Sequence, residues 1–202
     1  MNQSPSANDA ELVQRARAGN REAFTELIMK YQVSLYNMSL RMVGRPDDAA
    51  DIAQEAFLRA WEKLNTLRQA PFKAWLFQIA VNLCYDHFRR NRRFGSMPEE
   101  DQESKVVGLG LQQVDPQERA EVRERNRIVR ESIQSLEHDL RVALVLRDVN
   151  GLAYEEIAQV LRVPLGTVKS RIARARERVQ ERLLLHPGIF RRSEDKGVTD
   201  EG

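Results

Sequence analysis

Residues 154–185 read YEEIAQVLRVPLGTVKSRIARARERVQERLLL, and this stretch decides the architecture. The first eight residues are short and amphipathic, with Ile157, Ala158 and Leu161 on one side. Pro164 biases Val163 away from helical geometry, so Arg162-Val163-Pro164 reads as a turn. A second segment over 167–185 places Val168, Ile172, Ala175, Val179 and Leu183 on an inner stripe. Two such segments around a tight turn, with small Ala158 at the crossing, have helix-turn-helix spacing. On the outer face Thr167, Ser170, Arg171, Arg174 and Arg178 project together, with Lys169 beside them. Side chains that can bond bases and phosphates, gathered in the first half of a helix, suit the DNA major groove. A helical hairpin with a solvated basic face would carry the same charges.

Outward from this stretch the helical stride continues, with no sustained period-two pattern, and the chain reads as all-α. Asn8 or Asp9 can cap a first short helix that Gly19 ends. Asn20 starts the next, with Phe24, Leu27, Ile28, Tyr31, Leu35, Met38 and Met42 on one stripe until Gly44 and Pro46. Asp47 and Asp48 then favour a third helix start, both as caps and by complementing the helix dipole. The pattern breaks over 65–70, and Pro71 suits the first turn of a long helix carrying Phe72, Trp75, Leu76, Ile79, Ala80 and Leu83 on its apolar face. These four helices predict a first domain over 8–94. Residues 95–115 have linker composition, 116–186 form a second domain ending in the helix-turn-helix, and 187–202 form a tail.

A length of 202 residues allows one or two domains at about 100–200 residues each, and 42% apolar with 31% charged residues describes a soluble chain. The apolar runs are too short for a transmembrane span, which needs about 20 residues. No basic and then apolar leader opens the sequence, so the cytoplasm is the expected location. One cysteine, Cys84, excludes an internal disulfide, and a small buried residue is its simplest reading. Three separated histidines make no metal pattern, and no cofactor is expected. Nucleotide-binding, nucleophile-elbow and zinc-protease motifs are missing, which argues against catalysis and leaves no catalytic residues to assign.

A formal charge of +2 conceals unequal segments. Five acids face one base over 47–62, whereas 89–93 read RRNRR and 166–182 hold six bases against two acids. Two arginine-rich clusters separated by an acidic stretch point to a polyanionic partner. In the third helix Asp51, Gln54, Glu55, Leu58 and Glu62 occupy the face away from the apolar stripe, where a leucine flanked by carboxylates suits a basic helical partner. In the fourth, Gln78, Asn82, Tyr85 and Arg89 lie opposite the core stripe, offering amides, a ring and a cation to a nucleic-acid strand. A dimeric helix-turn-helix regulator on palindromic DNA, or a pure protein adaptor, also fits parts of this pattern.

The succession DAADIAQEAFLRAWEKL, FKAWLFQIAVNLCYDHFRR and SLEHDLRVALVLRDVNGLAYEEIAQVLRVPLGTVKSRIARARER resembles the extracytoplasmic-function (ECF) sigma factors of the sigma-70 family, in order over about residues 9–185. The resemblance implies sigma domain 2 and sigma domain 4 joined by a flexible linker. It implies partners too: core RNA polymerase through its β and β′ subunits, promoter DNA, and an anti-sigma protein, for a chain that is monomeric when free and inserts into no membrane. Asp51, Gln54, Glu55 and Leu58 are then expected to dock the polymerase clamp. The 65–71 loop with Leu67 and Arg68, and Gln78, Asn82, Tyr85 and Arg89, are expected at the −10 element. Thr167, Lys169, Ser170, Arg171 and Arg174 are expected at the −35 element, with Arg147 near the DNA backbone. Ala153 stands where relatives often have serine, which removes an N-cap worth about 1 kcal/mol.

Overall fold

The computed structural model describes residues 5–68, 71–94 and 116–187, and among them every regular element is helical. Helices α1 (Pro5–Arg17), α2 (Arg21–Val43), α3 (Pro46–Glu62) and α4 (Phe72–Phe94) make the N-terminal half. Helices α5 (Pro116–Gln134), α6 (His138–Leu144), α7 (Tyr154–Leu161) and α8 (Leu165–Leu184) make the C-terminal half. The all-α class read from the periodicity is what the chain adopts. The linker expected at 95–115 and all but the first residue of the expected tail lie outside the described residues.

Local chemistry sets most helix ends. The Asn20 side chain accepts a hydrogen bond from the Ala23 N–H at 3.0 Å and opens α2. Gly44, at φ 86°, closes it in the left-handed conformation that a side chain would strain. At α3 the expectation needs correcting: Arg45 holds the cap position without a side-chain bond, Pro46 takes the first helical position, and Asp47 and Asp48 sit in the first turn. They act on the helix dipole and not as caps. Asp9 needs a larger correction. It lies inside α1, buried, where it accepts from the Lys30 ammonium at 2.5 Å and from the Tyr31 hydroxyl. A carboxylate removed from water requires such donors, so Asp9 ties α1 to α2 instead of starting a helix.

In the N-terminal half Leu27, Leu35, Met38 and Met42 of α2 meet the alanine-rich side of α3, with Ala49, Ala53, Ala56 and Ala60 buried. Small residues there let the helix axes approach closely. Phe72, Leu76, Phe77, Ala80 and Cys84 of α4 close this core. In the C-terminal half Val142, Leu146, Leu152, Ile157, Val168 and Ile172 are buried together.

Between α7 and α8 the chain turns at Arg162, which takes φ 54° and donates its N–H to the Ala158 carbonyl. Holding a side chain there costs roughly 1–2 kcal/mol. Pro164 then precedes α8, which starts at Leu165, two residues before the expected point. Ala153 offers no cap, but the Glu156 carboxylate accepts the Ala153 N–H at 2.7 Å and restores one of the two bonds of a capping box.

The halves do not stand apart. Buried residues from both belong to one apolar cluster. Arg141 of α6, itself buried, donates to the Met42 carbonyl of α2 at 2.6 Å and to the Gln134 and Leu136 carbonyls at the end of α5. Asn150 donates to the Ser34 carbonyl at 3.1 Å, and Lys73 donates to the Asn150 carbonyl at 2.6 Å. A sequence reading of two separately folded domains gives no hint of this seam.

Candidate nucleic-acid interface

Helix α8 presents its N-terminal half outward because Val168, Ile172 and Ala175 are buried against α6 and α7. Lys169, Ser170 and Arg174 are exposed on the opposite side, and the Ser170 hydroxyl donates to the Thr167 carbonyl at 3.0 Å. Thr167 and Arg171 are half-buried. The Arg171 guanidinium is paired with Asp139 of α6. Arg176 is also engaged, gripping both oxygens of Asp148 at 2.9 and 2.5 Å, and Arg178 lies 3.5 Å from Glu137.

Arg147 has structural work within the same unit. Its guanidinium lies 4.6 Å from the Tyr154 ring centre and donates to the Leu152 carbonyl at 2.8 Å, fixing the loop that leads into α7. A cation over an aromatic face, with a second bond to backbone, holds that loop in place before any ligand arrives. The expected contact with DNA backbone therefore falls to a side chain already held by this loop.

On α3, Asp51, Gln54 and Leu58 are exposed in a line, and Leu58 keeps 53% of its surface open. Glu55 is half-buried and accepts from Arg59 at 2.7 Å, one turn along. Trp61, one turn beyond Phe57, remains 37% exposed while its ring lies 4.9 Å from Phe24. Its size accounts for this, since tryptophan is seldom buried completely. Together Leu58 and Trp61 give this helix apolar surface beside its acids.

Along α4, Gln78, Asn82, Tyr85 and Arg89 fall on one line of the helix, as their spacing requires. Asn82 and Arg89 are exposed, and Arg89 pairs with Asp86. Gln78 and Tyr85 are half-buried under the C-terminal half. Gln78 donates to the Gln159 carbonyl at 3.2 Å, and the Tyr85 hydroxyl donates to Asp139 at 3.0 Å. Burial first, and then the Asp139 charge, raise the pKa of that hydroxyl above its ordinary 10.0 and make it less acidic. The Phe88 ring stacks on His138 with centres 3.8 Å apart. A cleft of about 320 Å³ remains between the helices, lined by Asn82, Tyr85, Asp86, Phe88, Arg89 and His138.

In the loop before α4 one expectation fails. Leu67 is buried in the core, 5% exposed, because the turn over Leu64–Thr66 rotates it inward, so its side chain is not placed to meet DNA. Arg68 is exposed, and Gln69 and Ala70 lie outside the described residues. Sequence reasoning missed Asp139 and His138 altogether. They come to α4 from across the chain, and no local pattern marks them.

A helix-turn-helix with an exposed polar and basic recognition helix, packed on a second helical unit, defines a protein of the DNA-binding, transcription-factor class. Known families agree: the model for sigma-70 region 2 matches residues 27–94 and that for sigma-70 region 4 matches 126–179. The chain is 39% identical to the RNA polymerase sigma-H factor of Pseudomonas aeruginosa, covering 87% of this chain and 93% of that protein. It is 36% identical to the ECF RNA polymerase sigma-E factor of Escherichia coli K12, over 89% of this chain and 96% of that one. Among solved structures it is similar to CnrH in complex with the cytosolic domain of CnrY, with a TM-score of 0.66, 26% identity and coverage of 88% and 98%. It is also similar to the sigma factor RpoE of Bartonella quintana in complex with the anti-sigma factor NepR, with a TM-score of 0.64, 27% identity and coverage of 80% and 97%. The chain belongs to the sigma-70 family of RNA polymerase sigma factors, in its ECF branch. No described helix is long and apolar enough to cross a membrane.

Proposed function

We propose that this chain is an alternative sigma factor that joins core RNA polymerase in the cytoplasm, directs it to paired −35 and −10 promoter elements and opens the DNA there, without catalysing a reaction itself. Residues 8–94 act as sigma domain 2 and 116–186 as sigma domain 4, with 95–115 as the tether between them and 187–202 as the tail. The exposed row Asp51, Gln54 and Leu58, with Glu55 beside it, docks the β′ clamp helices. Arg68, Gln78, Asn82, Tyr85 and Arg89 receive the −10 strand. Unstacking a base costs a few kcal/mol, and a polar and aromatic helix face that binds the freed strand offsets part of it.

Thr167, Lys169, Ser170, Arg171 and Arg174 read the −35 element, with Arg147 shaping the loop behind them. The observation that carries this reading is the outward trio Lys169, Ser170 and Arg174 at the N-terminal half of α8, the part of a recognition helix that reaches base edges. As a monomer, the free chain is held in check by an anti-sigma protein and serves a stress response, a reading supported by the similar sigma factor RpoE in complex with the anti-sigma factor NepR. Run-off transcription with core polymerase and a library of promoter fragments tests it. Transcripts dependent on the chain, from sites sharing two spaced elements, support the reading. Retention of palindromic DNA by the chain alone, with no transcript, would replace it with a dimeric regulator.

A further inference from the structure

The cations of α8 are held in two different ways. Lys169 and Arg174 are exposed and make no ion pair among the described residues, whereas Arg176 is gripped by Asp148, which accepts its Nε–H at 2.9 Å and its Nη2–H at 2.5 Å. Two parallel bonds fix the plane of a guanidinium as well as its position. Arg176 stands seven residues beyond Lys169, two turns along nearly the same line of the helix, so its charge lies on the side offered to DNA. Asp148 comes from the turn over Val145–Val149, a π turn whose bonds span five residues. That turn sends two consecutive side chains to the helix-turn-helix: Arg147 to the Tyr154 ring at the start of α7, and Asp148 to Arg176 in α8. The Tyr154 hydroxyl also lies against the Arg176 side chain, so the turn, α7 and α8 meet in these four residues. An ion pair this exposed does little for stability, since the Arg176 and Asp148 side chains keep 51% and 37% of their surface. What it fixes is the place of one positive charge.

We propose that Asp148 is a specificity-determining residue of the helix-turn-helix: it withholds Arg176 from the phosphates of DNA, so that α8 binds through Lys169, Ser170 and Arg174. This rests on the −35 reading above. Phosphate contacts strengthen binding to every sequence, whereas base contacts strengthen binding to one. In a complex that lacks its base contacts, the helix turns and slides until each free cation meets a phosphate. A released Arg176 joins them and tightens that complex. Once Lys169, Ser170 and Arg174 engage their bases the helix is fixed, and the same cation adds little. Pairing Arg176 inside the protein therefore weakens the wrong complexes more than the right one, and discrimination is the difference between the two.

The test is binding of the full chain with core polymerase to duplex DNA that carries the −10 element and either the −35 element selected in run-off transcription or a scrambled one. Asp148→Asn keeps the size of the side chain and one acceptor oxygen but removes the charge. On the scrambled duplex this variant is expected to bind more tightly than wild type, with a salt slope steeper by about 0.9, the worth of one phosphate contact. Its gain is then about three- to fourfold larger at 50 mM salt than at 200 mM. Binding to the selected duplex stays at the wild-type level, so the preference narrows. Adding Arg176→Gln to Asp148→Asn restores the wild-type slope, and Arg176→Gln alone leaves the slope as it is. Equal gains on both duplexes overturn the proposal. So does weaker binding to both with an unchanged slope, the mark of a pair that only supports the fold. A flatter slope for Arg176→Gln alone overturns it too, because Arg176 then already touches phosphate in the wild type. Circular dichroism checks helicity, and if Asp148→Asn loses it the slope of Arg176→Gln decides. If polymerase carrying this chain selects no promoter, the sigma reading falls, and the salt slopes of the same variants of the chain alone on a duplex 20-mer judge the Asp148 pair separately.

Discussion

The Tyr85 hydroxyl of α4 donates to the Asp139 carboxylate of α6 at 3.0 Å, across the seam that joins the halves of the chain. The residues are 54 positions apart in sequence, yet their contact places the α4 face proposed to bind the −10 strand against the C-terminal half. The same contact ties α4 to α6 and adds to the seam that Arg141, Asn150 and Lys73 hold elsewhere.

Arg141 is the deepest polar tie in that seam. Replacing it with methionine keeps much of its volume but leaves the Met42, Gln134 and Leu136 carbonyls without their donor. Urea unfolding of Arg141→Met is expected to show a loss of about 2–4 kcal/mol, the range for breaking a buried hydrogen-bonded charge. A midpoint within error of wild type would place those carbonyls in contact with water.

Leu58 is 53% exposed between acids on α3, where a glutamate adds charge but costs the fold little. Leu58→Glu is expected to weaken core-polymerase binding about tenfold or more, as loss of a central apolar anchor does, with helicity unchanged. Titration of labelled polymerase measures it, and wild-type affinity would exclude this face from the interface.

Arg174 is exposed on α8, in line with Ser170 one turn earlier. Arg174→Ala is expected to cost about 1–3 kcal/mol on the preferred −35 sequence and to relax selectivity at one base pair. If competition assays show equal weakening on all sequences, Arg174 contacts phosphate and not a base.

Alkaline pH works against the fold. Burial pushes the Cys84 thiol from its ordinary 9.0 up to about 12. Burial likewise raises the Tyr31 and Tyr85 hydroxyls above their ordinary 10.0, Tyr31 with added help from its hydrogen bond to Asp9 and Tyr85 from the charge of Asp139. All three groups hold their protons more tightly folded than unfolded. Their contribution is complete below pH 9 and is lost as pH rises towards 12 and beyond, because only the unfolded chain then releases protons. Urea midpoints are expected to be level from pH 7 to 8.5 and to fall steadily above about pH 9.5, and a level profile to pH 11 would contradict this linkage.

Much of the local structure was legible in the residues. Asn20 and Gly44 mark the two ends of α2, the stripe from Leu27 to Met42 marks its buried side, and Pro164 with the stripe from Val168 to Ala175 marks the helix-turn-helix. Such signals are local: a cap bonds its own helix, and periodicity reports which side of a helix leaves water. For the same reason the outward residues Asp51, Leu58, Asn82, Lys169 and Arg174 could be picked out as candidates from the helical stride alone.

What the stride does not specify is the partner of each buried side. Asp9 reads as a cap, and only its neighbours Lys30 and Tyr31 on α2 make it a buried acceptor. Leu67 reads as part of an open loop, and the turn at Leu64–Thr66 sends it inward. Arg147 reads as a free cation until the fold brings it over Tyr154. Asp139 carries no mark at all, being one acid on a short helix, until packing sets it between Tyr85 and Arg171. The sequence by itself determined the helices, their faces and the recognition motif, because hydrogen bonding and amphipathic patterning act over a few residues. Only the tertiary structure decided which faces are covered and which charges are paired, because those outcomes depend on desolvation and geometry between segments that the chain brings together from far apart.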